Sequence, residues 1–588
     1  MPSFVIVYNP IGEAGWGEVI EAAMTRRLNL EAVTKKIFLG GRLQLIHSND
    51  KYTIESIFRK GDIEGGIVCA GRVLLDNCDS PVYEAISVAF DVVENSYERI
   101  NRSRGRYCAV VWASIDSRDA VYLLVDRVGT RPIYYYKKAD GQYLISTEES
   151  LLVDILDRIG NPVAVSLVGL LSKMLLGYVA GGQTCYSGIV VLRGATTVSL
   201  GVQGTESKRY WRWPEAVAAE SETEDLAKRA AEIFLKSLQL RLSSESGPQR
   251  SFLSGGLDSR MIVGGLRALG KEVLTYTFSR VDALDMILAA SFAKSCGAIH
   301  HATAVASFNV GGGLPGHIRN GIREEGVSDA EWAGVWSGVG GSGVLGHVDQ
   351  TETMARAAYL GSFDSVIHEY LERKRARLAR GLCTASRAEI LQSELEVELC
   401  AELEHGDYTI NEKKLYHYFV DNVERTHEYG NIEKLERRKI EYITPFYDPE
   451  FVEIMFRVPF SVCDRHKFYM KVMAQVGPNL LAVPWQAYPG HIEPAMQLPA
   501  GYTRQWSRRQ EPEEKREKKV RIIKGLEFVW SGRFPRKTFR KIDTTILMLL
   551  EYLVPQRSSG IESQLTTMRE VFGSADRDLV VKGRRKPH

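Results

Sequence analysis

The sequence predicts an α/β chain that joins two kinds of sheet: a layered α+β region first, then a doubly wound parallel sheet with helical additions. Three observations carry this. Residues 1–160 hold many short apolar runs separated by turn residues, with few long helical periods. Residues 251–305 alternate short strands with amphipathic helices, the pattern of βαβ units. From about residue 350 to 457 the periodicity is almost wholly helical.

In the first region the strand-like runs fall at 4–8, 43–46, 107–113, 120–125, 133–137 and 142–145, with Asp140-Gly141 as a turn. Residues 161–220 read as a connector, with a helix near 166–176, a turn at Gly181-Gly182 and strands around 189–192 and 196–200. A helix over 222–243 places Ala227, Ala231, Phe234, Leu235, Leu238 and Leu242 on one face. The second region, 221–500, then runs strand 251–253, helix 258–269, strand 273–278, helix 285–296 and strand 299–305. Residues 501–588 form a basic extension, with 14 Lys and Arg against 5 Asp and Glu over 504–541 and a Lys-Gly-Arg-Arg-Lys tail. A solvated helix with a frayed end and a polyanion-binding face are both open there.

Composition narrows the class. Of 588 residues, 44% are hydrophobic and 25% charged, which excludes a disordered chain and allows two or three cores. Lys and Arg total 75 and Asp and Glu 73, so global charge argues neither for nucleic acid nor for a membrane. Eight cysteines without a C-x-x-C pair read as reduced thiols of a cytoplasmic protein. The N-terminal Met-Pro-Ser-Phe-Val-Ile-Val-Tyr reads as a strand, not a signal peptide, and 163–180 as a buried helix, not a span. His300 and His301, adjacent on a strand, point to opposite faces and cannot share one metal ion.

The sharpest signal is Ser254-Gly255-Gly256-Leu257-Asp258-Ser259, between the apolar Phe252-Leu253 and a helix. Two glycines allow a tight turn and close approach of backbone N–H groups, and the following helix aims its positive end at the same point. The two serines add hydroxyls. The arrangement suits phosphate or pyrophosphate, and it lacks the Lys of a Walker A loop. The alternative is a ligand-free glycine turn.

This string resembles the pyrophosphate loop of N-type ATP pyrophosphatases, and its surroundings are similar to the asparagine synthetase family. The matching segments run in order: Asp126-Arg127-Val128-Gly129-Thr130-Arg131-Pro132-Ile133-Tyr134-Tyr135; Gly177-Tyr178-Val179, Tyr186-Ser187-Gly188-Ile189, Leu192-Arg193-Gly194 and Tyr210-Trp211; Ala289, Ala293, Gly297 and His300-His301; Pro445-Phe446-Tyr447-Asp448 with Pro459. The resemblance implies an Ntn-hydrolase-like amidotransferase domain over 1–160 and a PP-loop synthetase domain over 221–500. It implies ATP and Mg²⁺ as cofactors, with Ser254, Gly255, Gly256, Leu257, Asp258, Ser259, Arg260, Gly340 and Gly341 around the phosphates, Tyr276 and Phe278 near adenine, and Asp258 on the metal.

Three departures qualify it. Glutamine-dependent members have Cys at position 2; here it is Pro2, which has no nucleophilic side chain, so the first domain is expected to lack glutaminase activity. Gly338-Val339-Gly340-Gly341-Ser342-Gly343 carries Ser342 where the family has Asp, and a hydroxyl is a poor Mg²⁺ ligand beside a carboxylate. Residues 482–490 lack the family Lys, leaving Lys467 and Lys471 as substitute cations; Arg260 reaches either a phosphate or solvent.

The resulting expectation is an AMP- and pyrophosphate-forming ligase that activates a small-molecule or peptide carboxylate and joins it to ammonia or a substrate amine, with Asp258, Ser342 and Lys467 as catalytic candidates. It resembles β-lactam synthetases and lasso-peptide cyclases in keeping the first domain without its Cys. A homodimer is left open, and no membrane or nucleic-acid partner is expected. The competing readings are a non-catalytic nucleotide-binding or scaffolding relative and a tRNA-modifying enzyme.

Overall fold

A computed structural model describes residues 3–580 apart from 29–32, 77, 79, 117, 243–246, 306–312, 380, 406–407, 428, 478, 488–490, 493, 495–498, 503–511, 537, 554–560 and 574–578. Pro2, residues 488–490 at the end of the 482–490 segment, residues 503–511 at the start of the basic stretch and the terminal basic tail lie outside the described residues.

The first region supplies strands β1 (Phe4–Tyr8), β2 (Val33–Phe38), β3 (Leu43–Ser48), β4 (Thr53–Lys60), β5 (Ile63–Arg72), β6 (Arg106–Ile115), β7 (Arg118–Val125), β8 (Tyr134–Lys137) and β9 (Tyr143–Ser146). After β10 (Val165–Ser166) come β11 (Ile189–Val191), β12 (Thr196–Leu200) and β13 (Thr205–Arg209). Two six-stranded antiparallel sheets result, ordered β11-β8-β9-β1-β3-β2 and β13-β12-β7-β6-β5-β4. The residues read as a connector therefore complete both sheets of the first domain.

β1 shows why the sheets stack. Phe4, Ile6 and Tyr8 enter the core between the sheets, with Leu45, Val110, Trp112 and Leu123. Val5 and Val7 point the other way, into a second core with Ile20, Met24, Leu152 and Ile155 of the helices Gly17–Leu28 and Glu149–Arg158. A period of two with both faces apolar requires cover on both sides. Helix Pro81–Val93 covers the outer face of the other sheet through Ala85, Val88 and Ala89. The order of layers is helix, sheet, sheet, helix, the Ntn-hydrolase-like arrangement.

The second region forms a parallel sheet from β14 (Gln249–Phe252), β15 (Val273–Ser279), β16 (Ile299–Ala304), β17 (Ala333–Trp336) and β18 (Ile440–Ile443), ordered β16-β15-β14-β17-β18. Helices Thr223–Arg241, Asp258–Ala268, Leu284–Cys296 and Lys467–Val476 cover one face through Phe234, Met261, Phe292 and Phe468. Ile318 and Ile322 of helix Gly313–Glu324 cover the other. The sheet is doubly wound, as the βαβ spacing predicts.

Buried arginines join the domains. Arg104, which is fully buried, grips both Asp448 carboxylate oxygens at 2.9–3.1 Å, and Arg241 donates to the same group at 2.7 Å. The extension beyond 511 is docked as well: Ile522, Phe528, Met548 and Leu565 share the core of Leu167, Leu170 and Leu171. Among the described residues no helix is long and apolar enough to cross a membrane, and all eight cysteines are unpaired.

Candidate functional site

In the second sheet β15 lies on one side of β14 and β17 on the other, so the chain segments leaving β14 and β17 diverge. That divergence opens a crevice at the carboxyl ends of the strands, where open α/β sheets take ligands. Residues 253–257 leave β14 and residues 337–341 leave β17, which sets the two glycine-rich segments side by side.

The glycines explain how closely they fit. A Cβ on Gly338 would lie 2.5 Å from the Ser259 amide nitrogen, and one on Gly341 would lie 2.7 Å from the Asp258 carboxylate. Gly340 has φ +89°, which a side chain would oppose, and it faces the Tyr447 ring. The segment then enters a short π-type turn, Gly341–Leu345, that turns Ser342 toward the loop.

The loop is braced from within. The Ser254 N–H donates to Ser259 Oγ at 2.9 Å, and the two hydroxyls are 3.1 Å apart. The Gly256 N–H donates to Ser254 Oγ at 3.2 Å. The Gly255 N–H donates to Asp285 Oδ1 at 2.7 Å, while Gln486 N–H donates to the Gly255 carbonyl at 2.9 Å. The N–H groups of Asp258, Ser259 and Arg260 precede the first helical bond, from Met261 N–H to the Leu257 carbonyl at 2.9 Å. These and the helix dipole give the crevice its anion-directed end.

Asp258 is the only ionisable group of the loop. Its carboxylate accepts from Ser342 Oγ at 2.9 and 2.8 Å and from the Tyr469 hydroxyl at 2.6 Å. Burial pushes its carboxyl upward, and the hydrogen bonds from Tyr469 and Ser342 oppose the shift. Ser342 thus serves as a donor that holds Asp258.

A cavity of about 1360 Å³ opens over this unit. Ser254, Asp258, Ser259, Tyr276, Phe278, Gly340 and Ser342 line it; Gly255 and Leu257 are buried behind the loop, and Gly341 backs Asp258. Tyr276 and Phe278 alternate along β15 and stack at 6.1 Å between centroids, 13° between planes. The Tyr276 hydroxyl is buried with no hydrogen-bond partner among the described residues.

The three candidate cations lie away from the phosphate loop. The Arg260 guanidinium is turned away from the loop: it donates to the carbonyls of Leu480 (3.2 Å), Val483 (2.5 Å) and Pro484 (2.9 Å) and lies over the Phe292 ring. An apolar wall with free carbonyls outcompetes a phosphate position it would have to bend back to reach, and burial lowers its pKa to about 10. Lys467 is half-exposed beside Asp464 at 3.7 Å, and Lys471 pairs with Glu224; neither lines the cavity. Both follow a kink at Arg465 and His466 that starts a new helix, which sends these side chains outward.

Other residues take part without a motif to announce them. Arg373 and Lys374 line the cavity, held by the Val348 carbonyl and Asp349 at 2.8 and 2.7 Å. Glu424 lines it too, accepting from the Tyr447 hydroxyl at 2.9 Å, and a side chain on Gly343 would run into it. Tyr469, Asp285 and Gln486 sit 26 to 227 residues beyond the end of the loop in sequence, and only their positions in the fold reveal them. His300 hydrogen-bonds Thr275 at 2.9 Å, and no cluster of three metal-ligating side chains occurs among the described residues. One carboxylate with hydroxyl neighbours at a helix N-terminus fits a Mg²⁺ ion whose other ligands are phosphate oxygens and water.

The comparisons with known proteins agree with this architecture. A glutamine amidotransferase domain model matches residues 87–211. The chain is 24% identical over 156 residues to a putative glutamine-hydrolyzing asparagine synthetase of Methanocaldococcus jannaschii, covering 26% of this chain and 30% of that protein. It is 23% identical over 192 residues to a glutamine-hydrolyzing asparagine synthetase of Bacillus subtilis, covering 32% and 29%. The matched region therefore spans less than a third of either relative. A solved structure described as the allosteric regulatory enzyme of purine biosynthesis overlaps 63% of this chain and 72% of its own at 10% identity and a TM-score of 0.22, too loose to carry an argument. Fold and sequence together define a protein with an amidotransferase-type domain. Within that class the chain is a distant relative of the asparagine synthetases.

Proposed function

We propose that this protein is an ATP-dependent, AMP- and pyrophosphate-forming amide ligase. The observation that carries the reading is the Asp258–Ser342–Tyr469 unit at a helix N-terminus, on the floor of the crevice between the two glycine-rich segments. In this reading a substrate carboxylate oxygen attacks the α-phosphorus and the α–β bridging bond breaks. Pyrophosphate departs against the N–H groups of residues 258–260, while Arg373 and Lys374 offset charge from across the cavity. An amine or ammonia then attacks the acyl carbon, the acyl–phosphate C–O bond breaks and AMP leaves; Glu424 is placed to take the proton the amine loses. Mg²⁺, when bound, shields the phosphate oxygens, and Asp258 holds it. Tyr276 and Phe278 offer a flat wall to adenine.

The first domain has Pro2 in place of a nucleophile and supplies no ammonia in this reading. A second reading, a nucleotide-binding relative without turnover, draws on Ser342 in place of a carboxylate and on Lys467 and Lys471 lying outside the cavity. Exchange of labelled pyrophosphate into ATP, in the presence of candidate acids, separates the two. Exchange supports the ligase; ATP binding without exchange or AMP release across a broad panel supports the second reading. ADP and phosphate as products would refute the proposed cleavage site.

A further inference from the structure

The cavity does not end at the nucleotide crevice. It continues to a wall built by the first domain and the former connector, which includes Tyr134, Glu148, Glu149 and Lys173, opposite Glu433 of the second domain. Nothing in the adenylation chemistry above uses this arm. Its three carboxylates are unlike one another. Glu148 accepts from Ser3 Oγ at 3.1 Å and from Arg437 at 3.0 Å. Glu433 accepts from Arg437 as well, at 2.5 Å. Glu149 accepts from a neutral donor, the Cys185 N–H at 3.3 Å, while the neighbouring Thr184 hydroxyl is directed to the carbonyls of Tyr186 and Ile189. Among the described residues no lysine or arginine lies within ion-pairing distance of it.

The second observation is Tyr134. It is 8% exposed and its ring is packed in the core with Leu151 and Leu152, while its hydroxyl makes no hydrogen bond among the described residues and is not itself a buried atom, so it is open to the cavity that Tyr134 lines. The ionisable groups around that hydroxyl are Glu149, Tyr429, Glu433 and Arg425, and all but Arg425 line the arm. Glu149 is a partly buried carboxylate with no ion-pair partner in contact, and the Tyr134 hydroxyl faces the same cavity with hydrogen-bonding capacity to spare. Placed together on one cavity wall, they are complementary to a donor that carries positive charge. Lys173, the cation nearest Glu149, is exposed.

We propose that this arm binds the protonated amino group of an amine-bearing substrate, with Glu149 as its counter-charge and the Tyr134 hydroxyl as a second acceptor. The assignment of that amine to a ligase substrate rests on the reading above; the binding itself does not. It also gives the first domain a task that needs no nucleophile at position 2: the domain forms one wall of the substrate pocket.

Titration calorimetry of the full-length protein with 1,4-diaminobutane, and with glutarate as an anionic probe of similar length, tests this. The diamine is expected to bind the unaltered protein and glutarate is not. Glu149→Gln, which keeps size and the helix start, should weaken diamine binding ~10–100-fold, the range for a lost hydrogen bond to a charged group. Tyr134→Phe should weaken it less, and Lys173→Ala should leave it equal or tighter, because a like charge is removed. MgATP affinity should be the same in Glu149→Gln as in the unaltered protein. No diamine binding, equal diamine affinity in Glu149→Gln, or preferential binding of glutarate would overturn the assignment. Diamine binding that depends on Glu149 in a protein that never binds ATP would uphold the arm and remove the ligase reading.

Discussion

Ser342 Oγ stands 2.9 and 2.8 Å from the two carboxylate oxygens of Asp258, so the hydroxyl straddles the group as a donor. This changes what substitutions at position 342 should do. Ser342→Ala removes a donor from a half-buried carboxylate, which typically costs about 1–2 kcal/mol, and should lift the Asp258 carboxyl still further. Ser342→Asp places a second carboxylate against the first. Without metal it should lower the melting temperature through like-charge repulsion, and added Mg²⁺ should recover the loss. A metal-independent melting temperature for that variant would mean the two side chains do not meet.

Asp258→Asn should abolish most of the Mg²⁺-dependent part of ATP binding, because no other ionisable group belongs to the loop. The fold should survive, since Asn can still accept from Ser342 and Tyr469. Calorimetry with MgATP and with metal-free ATP reads the two contributions separately; equal MgATP affinity in both proteins would unseat Asp258.

Arg260→Leu is expected to act on stability and not on phosphate affinity. It strips three carbonyls of their donor and leaves the 480–484 segment unanchored, a loss of about 2–4 kcal/mol. Loop-side effects should follow only through Gln486, which hydrogen-bonds Gly255. A variant of unchanged denaturation midpoint that binds ATP tenfold more weakly would return Arg260 to the phosphates.

Glu148 predicts a pH dependence. Burial and the neighbouring Glu433 push its carboxyl up to about 7, against Arg437, Arg27 and the Ser3 hydroxyl, which favour the charged form. A carboxyl whose pKa is higher in the folded state contributes stability that is complete below about 4.5, its unfolded value, and is lost as the pH rises through about 7. Urea midpoints should carry a falling component over that window that Glu148→Gln lacks. A difference between the two proteins that is flat across pH 4.5–7 would contradict the shift.

Glutamine should not be hydrolysed. The expectation follows from Pro2 and from the absence of any other cysteine near the N-terminus, Cys69 being the first. Glutamate released from glutamine by purified protein, above the uncatalysed background, would contradict it.

Much of this was legible in the chain. The 251–305 alternation placed strands and helices within two or three residues of Gln249–Phe252, Asp258–Ala268, Val273–Ser279 and Leu284–Cys296, because each carries a complete local period with glycine or polar punctuation. The apposition of the two glycine-rich segments was legible only in part. Their composition announced tight turns, but that Gly338 and Gly341 press on residues 258 and 259 depends on β14 and β17 being neighbours. Lys467 shows the limit. Its charge, upstream of a 482–490 segment that lacks the family Lys, made it a substitute cation, whereas two left-handed residues before it, Arg465 and His466, rotate the helix outward, and left-handed backbone at non-glycine residues leaves no compositional mark. Arg373 and Lys374 end a helix that reads as an ordinary charged surface.

The grip of Arg104 on Asp448 has a consequence for how the protein is made. The partners are 344 residues apart, so at roughly 5–20 residues per second a ribosome delivers Asp448 about 17–70 s after Arg104. For that interval the first domain has emerged with a guanidinium whose destined carboxylate does not yet exist. The nascent domain must keep that edge hydrated, or borrow another anion, until the second half of the polypeptide arrives. Nascent chains arrested just before residue 448 should therefore expose this edge to proteases, and the exposure should vanish once the carboxylate has emerged and the second domain has folded.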